Sequence, residues 1–278
     1  MKPYSAFSDI YDRCMDNVPY DEWAEALVRI LREADVADGS LVADLGCGTG
    51  EMTARLREAG FDMIGIDGSE EMLAIAQEKE YERVDELLAD ASPDDTEAEE
   101  NAIAGMIRYL HQDLREIELY GTVAAMVSVC DTMNYLLTED DLREVFKKAN
   151  NYLDRDGLFV FDVKTEYYYR EVLGDNVRAE DYEDDVLLWD NSYDRGTRIN
   201  EYRLTMFKKD EATGLFARQD ELHRQRAYDL AEITRILAEA GMTFVRAEDA
   251  YTGKPVTETT ERILIIAKES YQANKYYE

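Results

Sequence analysis

Residues 42–50 read Val42-Ala43-Asp44-Leu45-Gly46-Cys47-Gly48-Thr49-Gly50. Leu41 to Leu45 form a short apolar strand, and glycines at alternate positions follow where that strand gives way to a helix, Glu51 to Ala59. In an open α/β sheet this is the place where a ligand can approach backbone amides. The missing Cβ permits both the unusual dihedrals and the close approach. The dinucleotide spacing G-x-G-x-x-G, begun at Gly46, requires a third glycine at position 51, where the chain has Glu51. A pyrophosphate would meet a carboxylate there, so a ligand without phosphates is favoured over NAD or FAD.

The pattern extends in both directions. Upstream, Tyr20 to Ala34 is an amphipathic helix with Trp23, Leu27, Ile30 and Leu31 at helical spacing. Downstream, Gly60 is placed to end the helix begun at Glu51, Asp62 to Ile66 is a second strand, and Ser69 caps a helix through Met72, Leu73 and Ala76. Ile107 to Leu110 and Val123 to Val129 read as strands, Asp140 to Tyr152 as a helix and Leu158 to Val163 as a fifth strand. Such alternation predicts a mostly parallel sheet with helices on both faces. The acidic stretch 90–100 reads as a solvated excursion. From about Asp175 the alternation stops, and three strand-like pieces, Val186 to Trp189, Ile199 to Lys208 and Leu215 to Arg226, predict a small inserted antiparallel sheet. The helix Asp229 to Ala240 and an antiparallel pair, Thr243 to Asp249 and Arg262 to Lys268, complete the core. The expected division is 1–174 for an N-terminal lid and the first part of the core, 175–228 for the insertion and 229–278 for the rest.

Composition narrows the function. The 278 residues are 45% apolar and 33% charged, without an apolar run of 18 that would cross a bilayer. Sixty-two acidic against 31 basic residues give a net charge of -31, which repels phosphate backbones and anionic lipid. Neither nucleic acid nor a membrane is an expected partner. The opening MKPYSAFSDIYDRC lacks the apolar core of a signal peptide, and Cys14, Cys47 and Cys130 lie far apart, so a reduced, cytoplasmic setting is expected. The two histidines, His111 and His223, are too few for a histidine-rich metal site, and no metal is required.

The ligand can be placed by strand ends. Asp67 follows Gly46 by 21 residues at the end of the second strand, suited to accept hydrogen bonds from both hydroxyls of a ribose. Asp113, after the third strand, is suited to an adenine amino group, with Leu114 supplying a backbone amide and an apolar contact.

With these residues in view, VADLGCGTG, IGIDGSEEML and LHQDLREI resemble the successive cofactor motifs of class I S-adenosylmethionine-dependent methyltransferases. YSAFSDIYDRCMDNVPYDEW resembles the N-terminal lid of the bacterial small-molecule type, and CDTMNYLL the segment after its fourth strand. The resemblance covers nearly the whole chain. It implies a Rossmann-like fold with a mostly parallel seven-stranded sheet in the order 3-2-1-4-5-7-6, the seventh strand antiparallel, and an inserted antiparallel sheet roofing the active site. It implies S-adenosyl-L-methionine as cofactor and S-adenosyl-L-homocysteine as product. Asp44 and Gly46 are then expected at the methionine part, Cys47, Gly48 and Gly50 in the loop, Asp67 and Gly68 at the ribose, Met72 over the base, and Cys130 and Asp131 beside the cofactor. Met72 reads equally well as a helix-core methionine.

Methyl transfer from a sulfonium needs a nucleophile aligned opposite the departing sulfur, so orientation and desolvation are the main tasks. The expected activity is transfer to a nitrogen or oxygen of a small-molecule acceptor, by a monomer or homodimer. Nitrogen is weakly favoured, because a neutral amine attacks without a strong base. The competing readings are an inactive cofactor-binding protein and, against the charge balance, an RNA methyltransferase. Tyr4 and Tyr11 belong to the lid by resemblance, with Tyr11 gating catalysis. Tyr20, Tyr168, Trp189 and Arg226 are candidates for the acceptor side, and His223 for the proton acceptor. A place in the sheet core or on its surface accounts for Tyr168, Trp189, His223 and Arg226 as well.

Overall fold

The computed structural model describes residues 4, 7–15, 18–89, 102–103, 105–182, 185–210, 212–270 and 275. The acidic stretch 90–100 and two acids of the insertion, Glu183 and Asp184, lie outside the described residues. The first strand, β1 (Leu41–Leu45), is buried along nearly its whole length and pairs in parallel with β2 (Asp62–Asp67) on one side and β4 (Val123–Ser128) on the other. β3 (Arg108–His111) extends the sheet beyond β2, and β5 (Leu153–Lys164) extends it beyond β4. Numbering the remaining strands in chain order, β11 (Arg262–Lys268) runs antiparallel to β5 and to the outermost strand, β10 (Thr243–Asp249). The order β3-β2-β1-β4-β5-β11-β10 is the expected 3-2-1-4-5-7-6, with its seventh core strand reversed.

Side chains alternate across β1, which sorts the core into two layers. Ala43 and Leu45 face one layer, with Phe146, Phe159 and Ile233. Val42 faces the other, with Leu27, Ile30 and Leu56. The first layer is closed by α5 (Glu139–Tyr152) and α6 (Leu230–Glu239), the second by α2 (Tyr20–Glu33) and α3 (Glu51–Glu58). After β2, Ser69 Oγ accepts the Met72 amide at 3.2 Å and starts α4 (Glu70–Ala89). Because β2 and β4 lie on opposite sides of β1, the loops after β1 and β4 diverge and leave a crevice at the carboxyl ends of the strands. Among the described residues no helix is long and apolar enough to cross a membrane.

The insertion is a four-stranded antiparallel sheet, where the sequence predicts three strands. Its order is β6 (Asn176–Tyr182), β7 (Asp185–Asp194), β8 (Ile199–Lys209) and β9 (Phe216–Arg226). β6 escapes a sequence reading because it is an edge strand with six of its seven residues exposed, so it carries no apolar alternation. Leu187, Leu204 and Met206 on the inner face of this sheet pack against Phe7 and Ile10, which flank and enter the short helix α1 (Ser8–Cys14). The N-terminal helix and the insertion therefore share one apolar cluster.

Candidate active site

The glycine turn after β1 is built from conformations that side chains resist. Gly46 has φ 75° and an added Cβ there would lie 2.3 Å from Thr132 Cγ2, while Gly50 has φ 83° and its Cβ would lie 2.4 Å from the Tyr109 hydroxyl. The close neighbour of Gly46 comes from the segment after β4, so the two crevice walls touch at this point. Asp67, at the end of β2, accepts the Gly48 amide at 2.9 Å and the Ser69 amide at 2.8 Å, holding the turn against its own strand end. Burial raises its carboxyl above the usual range, against the pull of those amides. Asp44 is 1% exposed and accepts the Thr53 hydroxyl at 2.6 Å. Burial pushes its carboxyl up to about 7. Burial likewise pushes the Cys47 thiol well above its ordinary value and that of Cys130 up to about 12, which disfavours the thiolate form of both.

The N-terminal segment is pinned over this turn. Asp12 of α1 accepts the Thr49 hydroxyl at 2.6 Å and pairs with Lys79 of α4 at 2.6 Å. Ser69 donates to the Tyr4 carbonyl at 3.1 Å. Tyr11 packs edge-on against Tyr4 and Phe7, with ring centroids 5.7 and 5.6 Å apart. Tyr20 approaches Cys130, whose Sγ lies 3.9 Å from its hydroxyl. Tyr11, Tyr20, Asp44, the glycine turn and Cys130 enclose a cavity of about 30 Å³. That is room for a water or two.

The wall formed by β4 and β5 is held by a buried ion cluster. Cys130 and Asp131 take successive left-handed conformations, φ 60° and 58°, and their amides donate to Asp162 at 3.1 and 2.8 Å. Arg262 bridges Asp162 at 2.6 Å and Asp131 at 2.9 Å, and Lys164 pairs with Asp131 at 3.2 Å. Burial alone would raise the Asp131 carboxyl, but Lys164 and Arg262 more than offset it and hold it below the usual range. The guanidinium also lies over the Trp23 ring, 5.1 Å from its centroid.

A second buried chain links the lid to the insertion. Tyr4 and Tyr202 both hydrogen-bond through their hydroxyls to that of Tyr135, the former at 2.7 Å. The Tyr135 hydroxyl lies 3.0 Å from His223 Nδ1, and His223 Nε2 lies 3.0 Å from Glu221. His223 stacks on Tyr202, which stacks in turn on Trp189. The imidazole is fully buried with both nitrogens engaged, Nδ1 facing Tyr135 and Nε2 facing Glu221.

The structure thus brings Tyr4, Tyr11, Tyr20, Asp44, Asp67, Cys130 and Asp131 around the glycine turn, with Met72 Cε 3.1 Å from where a Gly48 Cβ would stand. Gly68 is exposed, and the His111 ring lies 3.1 Å from its carbonyl. Asp113 lies at the edge, its carboxylate capping the turn Leu114–Glu116 and clasped by Arg115. Tyr168 covers Lys164 at 5.0 Å, and Arg226 pairs with Glu232 and lies over Tyr228, facing away from His223. Sequence reasoning missed Tyr135, Glu221, Gln225 and Arg262. No local signal marked Glu221 or Gln225, since polar residues fill nearly every position of the strand that carries His223.

A seven-stranded sheet of this order, a glycine turn and strand-end acids Asp44 and Asp67 define the class I methyltransferase fold and its cofactor crevice. A family model described as a methyltransferase domain matches residues 42–157. The chain is 31% identical over 265 residues, 95% of its own length and 99% of the other's, to a protein of Geobacillus sp. (strain WCH70) named as a methyltransferase. A glycine/sarcosine N-methyltransferase of Aphanothece halophytica is 31% identical over 162 residues, 52% of each chain. Among solved structures, an S-adenosylmethionine-dependent methyltransferase from Clostridium acetobutylicum ATCC 824 superimposes with a TM-score of 0.79 at 26% identity, covering 97% of this chain and 100% of that one. The chain belongs to the S-adenosylmethionine-dependent methyltransferase family, and S-adenosylmethionine is its cofactor.

Proposed function

We propose that the protein transfers a methyl group from S-adenosylmethionine to a nitrogen or oxygen of a small-molecule acceptor by direct displacement. The observation that carries this reading is the meeting of lid, post-β4 segment and β9 above the glycine turn, where Tyr4, Tyr135, Tyr202 and His223 form one water-excluded hydrogen-bonded chain. When bound, the cofactor supplies an electrophilic methyl on a sulfonium. Asp44 and the glycine turn hold its amino-acid end, Asp67 with Gly68 its ribose, and Asp113, Leu114 and Met72 its base. Residues 1–174 and 229–278 then provide the lid and the cofactor-binding core, and 175–228 the roof over the acceptor, with Tyr20, Tyr168 and Trp189 on that side. Tyr11 closes the lid, excluding water and aligning the acceptor.

His223 takes the acceptor's proton through Tyr135, a role that an alcohol needs more than an amine. The likeness to a glycine/sarcosine N-methyltransferase supports nitrogen as the acceptor atom. A surplus of acids over bases, 62 against 31, supports a small molecule over RNA in a cytoplasmic setting. The test is to incubate purified protein with cell extract and methyl-labelled cofactor, then follow the label by mass spectrometry. Label in a metabolite of low mass is expected. Label confined to RNA, or none incorporated by protein that binds the cofactor, overturns the reading.

A further inference from the structure

The inner face of β9 is polar where a sheet facing a core is ordinarily apolar. Glu221, His223 and Gln225 are buried at alternate positions, while Leu222 between them is exposed. Each of the three inward side chains holds a different wall of the site. Gln225 donates to Asp131 and accepts the Tyr169 hydroxyl at 3.0 Å. His223 holds Tyr135. Glu221 accepts the backbone amides of Tyr4 at 2.8 Å and Phe7 at 3.0 Å, and faces His223 Nε2.

We propose that Glu221 is a positioning residue that ties closure of the N-terminal lid to the proton orientation of the His223–Tyr135 chain. The two lid amides can only donate, so with Glu221 ionised both of its oxygens serve as acceptors, and His223 Nε2, which also faces them, carries the ring proton. In the neutral imidazole Nδ1 is then the bare nitrogen and accepts from the Tyr135 hydroxyl, which leaves the Tyr135 oxygen to accept from Tyr4 and Tyr202. Every hydroxyl in the chain consequently points toward His223, the direction in which a proton must travel from the site. Opening the lid removes the Tyr4 and Phe7 amides and the Tyr4 hydroxyl together, so one movement unseats both ends of the chain. Its bearing on catalysis rests on the methyl-transfer reading, but the contacts themselves involve no acceptor and are tested without one.

With only two histidines in the chain, ¹⁵N-histidine spectra are simple, and a His111→Gln variant assigns them. The full-length protein should show His223 protonated at Nε2 and its Tyr4 and Phe7 amides slow to exchange. In Glu221→Gln an amide replaces one acceptor by a donor, which must face either a lid amide or His223 Nε2–H. Exchange of the Tyr4 and Phe7 amides should then quicken by about tenfold or more with the core amides still protected. Protonation at Nδ1 in the parent, or lid amides exchanging there at free-peptide rates, overturns the proposal, even if the variant does not fold. A folded variant with both lid amides protected and the His223 spectrum unchanged overturns it too. Loss of labelled product with these signatures intact would instead count against the acceptor reading.

Discussion

Replacing Asp44 by asparagine should stabilise the protein relative to its parent above neutrality, with the advantage fading as the pH falls. Asp44 is 1% exposed, its nearest hydrogen-bond donor is the Thr53 hydroxyl, and burial raises its carboxyl to about 7. An aspartate in an unfolded chain titrates near ~3.9, so the folded protein binds this proton more tightly by about 3 pH units, or about 4 kcal/mol at ~1.4 kcal/mol per unit. That contribution is fully present below the unfolded value and is lost as the pH rises from about 4 through about 7. Asparagine has no proton to lose and can still accept from Thr53. The stability difference, variant minus parent, should therefore grow by up to about 4 kcal/mol between pH 4 and pH 8. The raised carboxyls of Asp67 and Asp162 persist in both proteins and cancel in the difference, apart from the relief Asp67 gains when its charged neighbour is gone. Urea unfolding of both proteins at several pH values measures it. Curves that stay parallel within about 1 kcal/mol across that range would refute the reasoning. In the parent, affinity for the cationic cofactor should rise over the same window, as Asp44 ionises, and the variant should lack that rise.

Asp67→Ala removes the acceptor for the Gly48 and Ser69 amides as well as the proposed ribose partner, and should weaken cofactor binding by about 1–3 kcal/mol in calorimetry; unchanged affinity would remove Asp67 from the site. Tyr11→Ala should lose far more turnover than thermal stability, with Tyr11→Phe between it and the parent, since the ring packs on Tyr4 and Phe7 in the lid; full turnover by folded Tyr11→Ala protein would sink the gating role. Arg262→Met leaves Asp131 and Asp162 facing each other without their shared cation and should cost about 3–5 kcal/mol at neutral pH, whereas a loss below about 1 kcal/mol would mean the cluster contributes little.

The core was legible because its strands and helices carry their burial in their periodicity. Val42 to Leu45 and Met63 to Ile66 are almost wholly apolar, as strands buried on both faces must be, and α5 and α6 repeat their apolar residues at helical spacing. The cofactor side was legible for a different reason: Gly46 and Gly50 stand where backbone geometry excludes other residues, and Asp67 ends the neighbouring strand. The proposed acceptor side offered no such local signal. Arg262 meets Asp131 and Asp162 across 131 and 100 residues of chain, and Glu221 meets Tyr4 across 217, so neither partnership leaves a spacing to read. His223 stood out by type alone, and its environment came from Tyr135, Tyr202 and Tyr4, three of nineteen tyrosines. β6 was missed because an exposed edge strand and an ordinary acidic loop look the same along the sequence.

The apolar cluster shared by lid and inserted sheet sets a rule for anyone recombining this enzyme with its relatives. Leu187, Leu204 and Met206 have Phe7 and Ile10 as their covering layer, and the inward face of β9 next to them is polar. A chimera that imports strands β6 to β9 alone would juxtapose a foreign lid with this face and leave methionine and leucine side chains exposed to solvent. The transplantable module is discontinuous: the first fifteen residues must travel with residues 175–228, although some 160 residues of chain lie between them. Acceptor preference should accordingly pass between relatives only when both pieces are exchanged together, as a two-part graft onto an unchanged core.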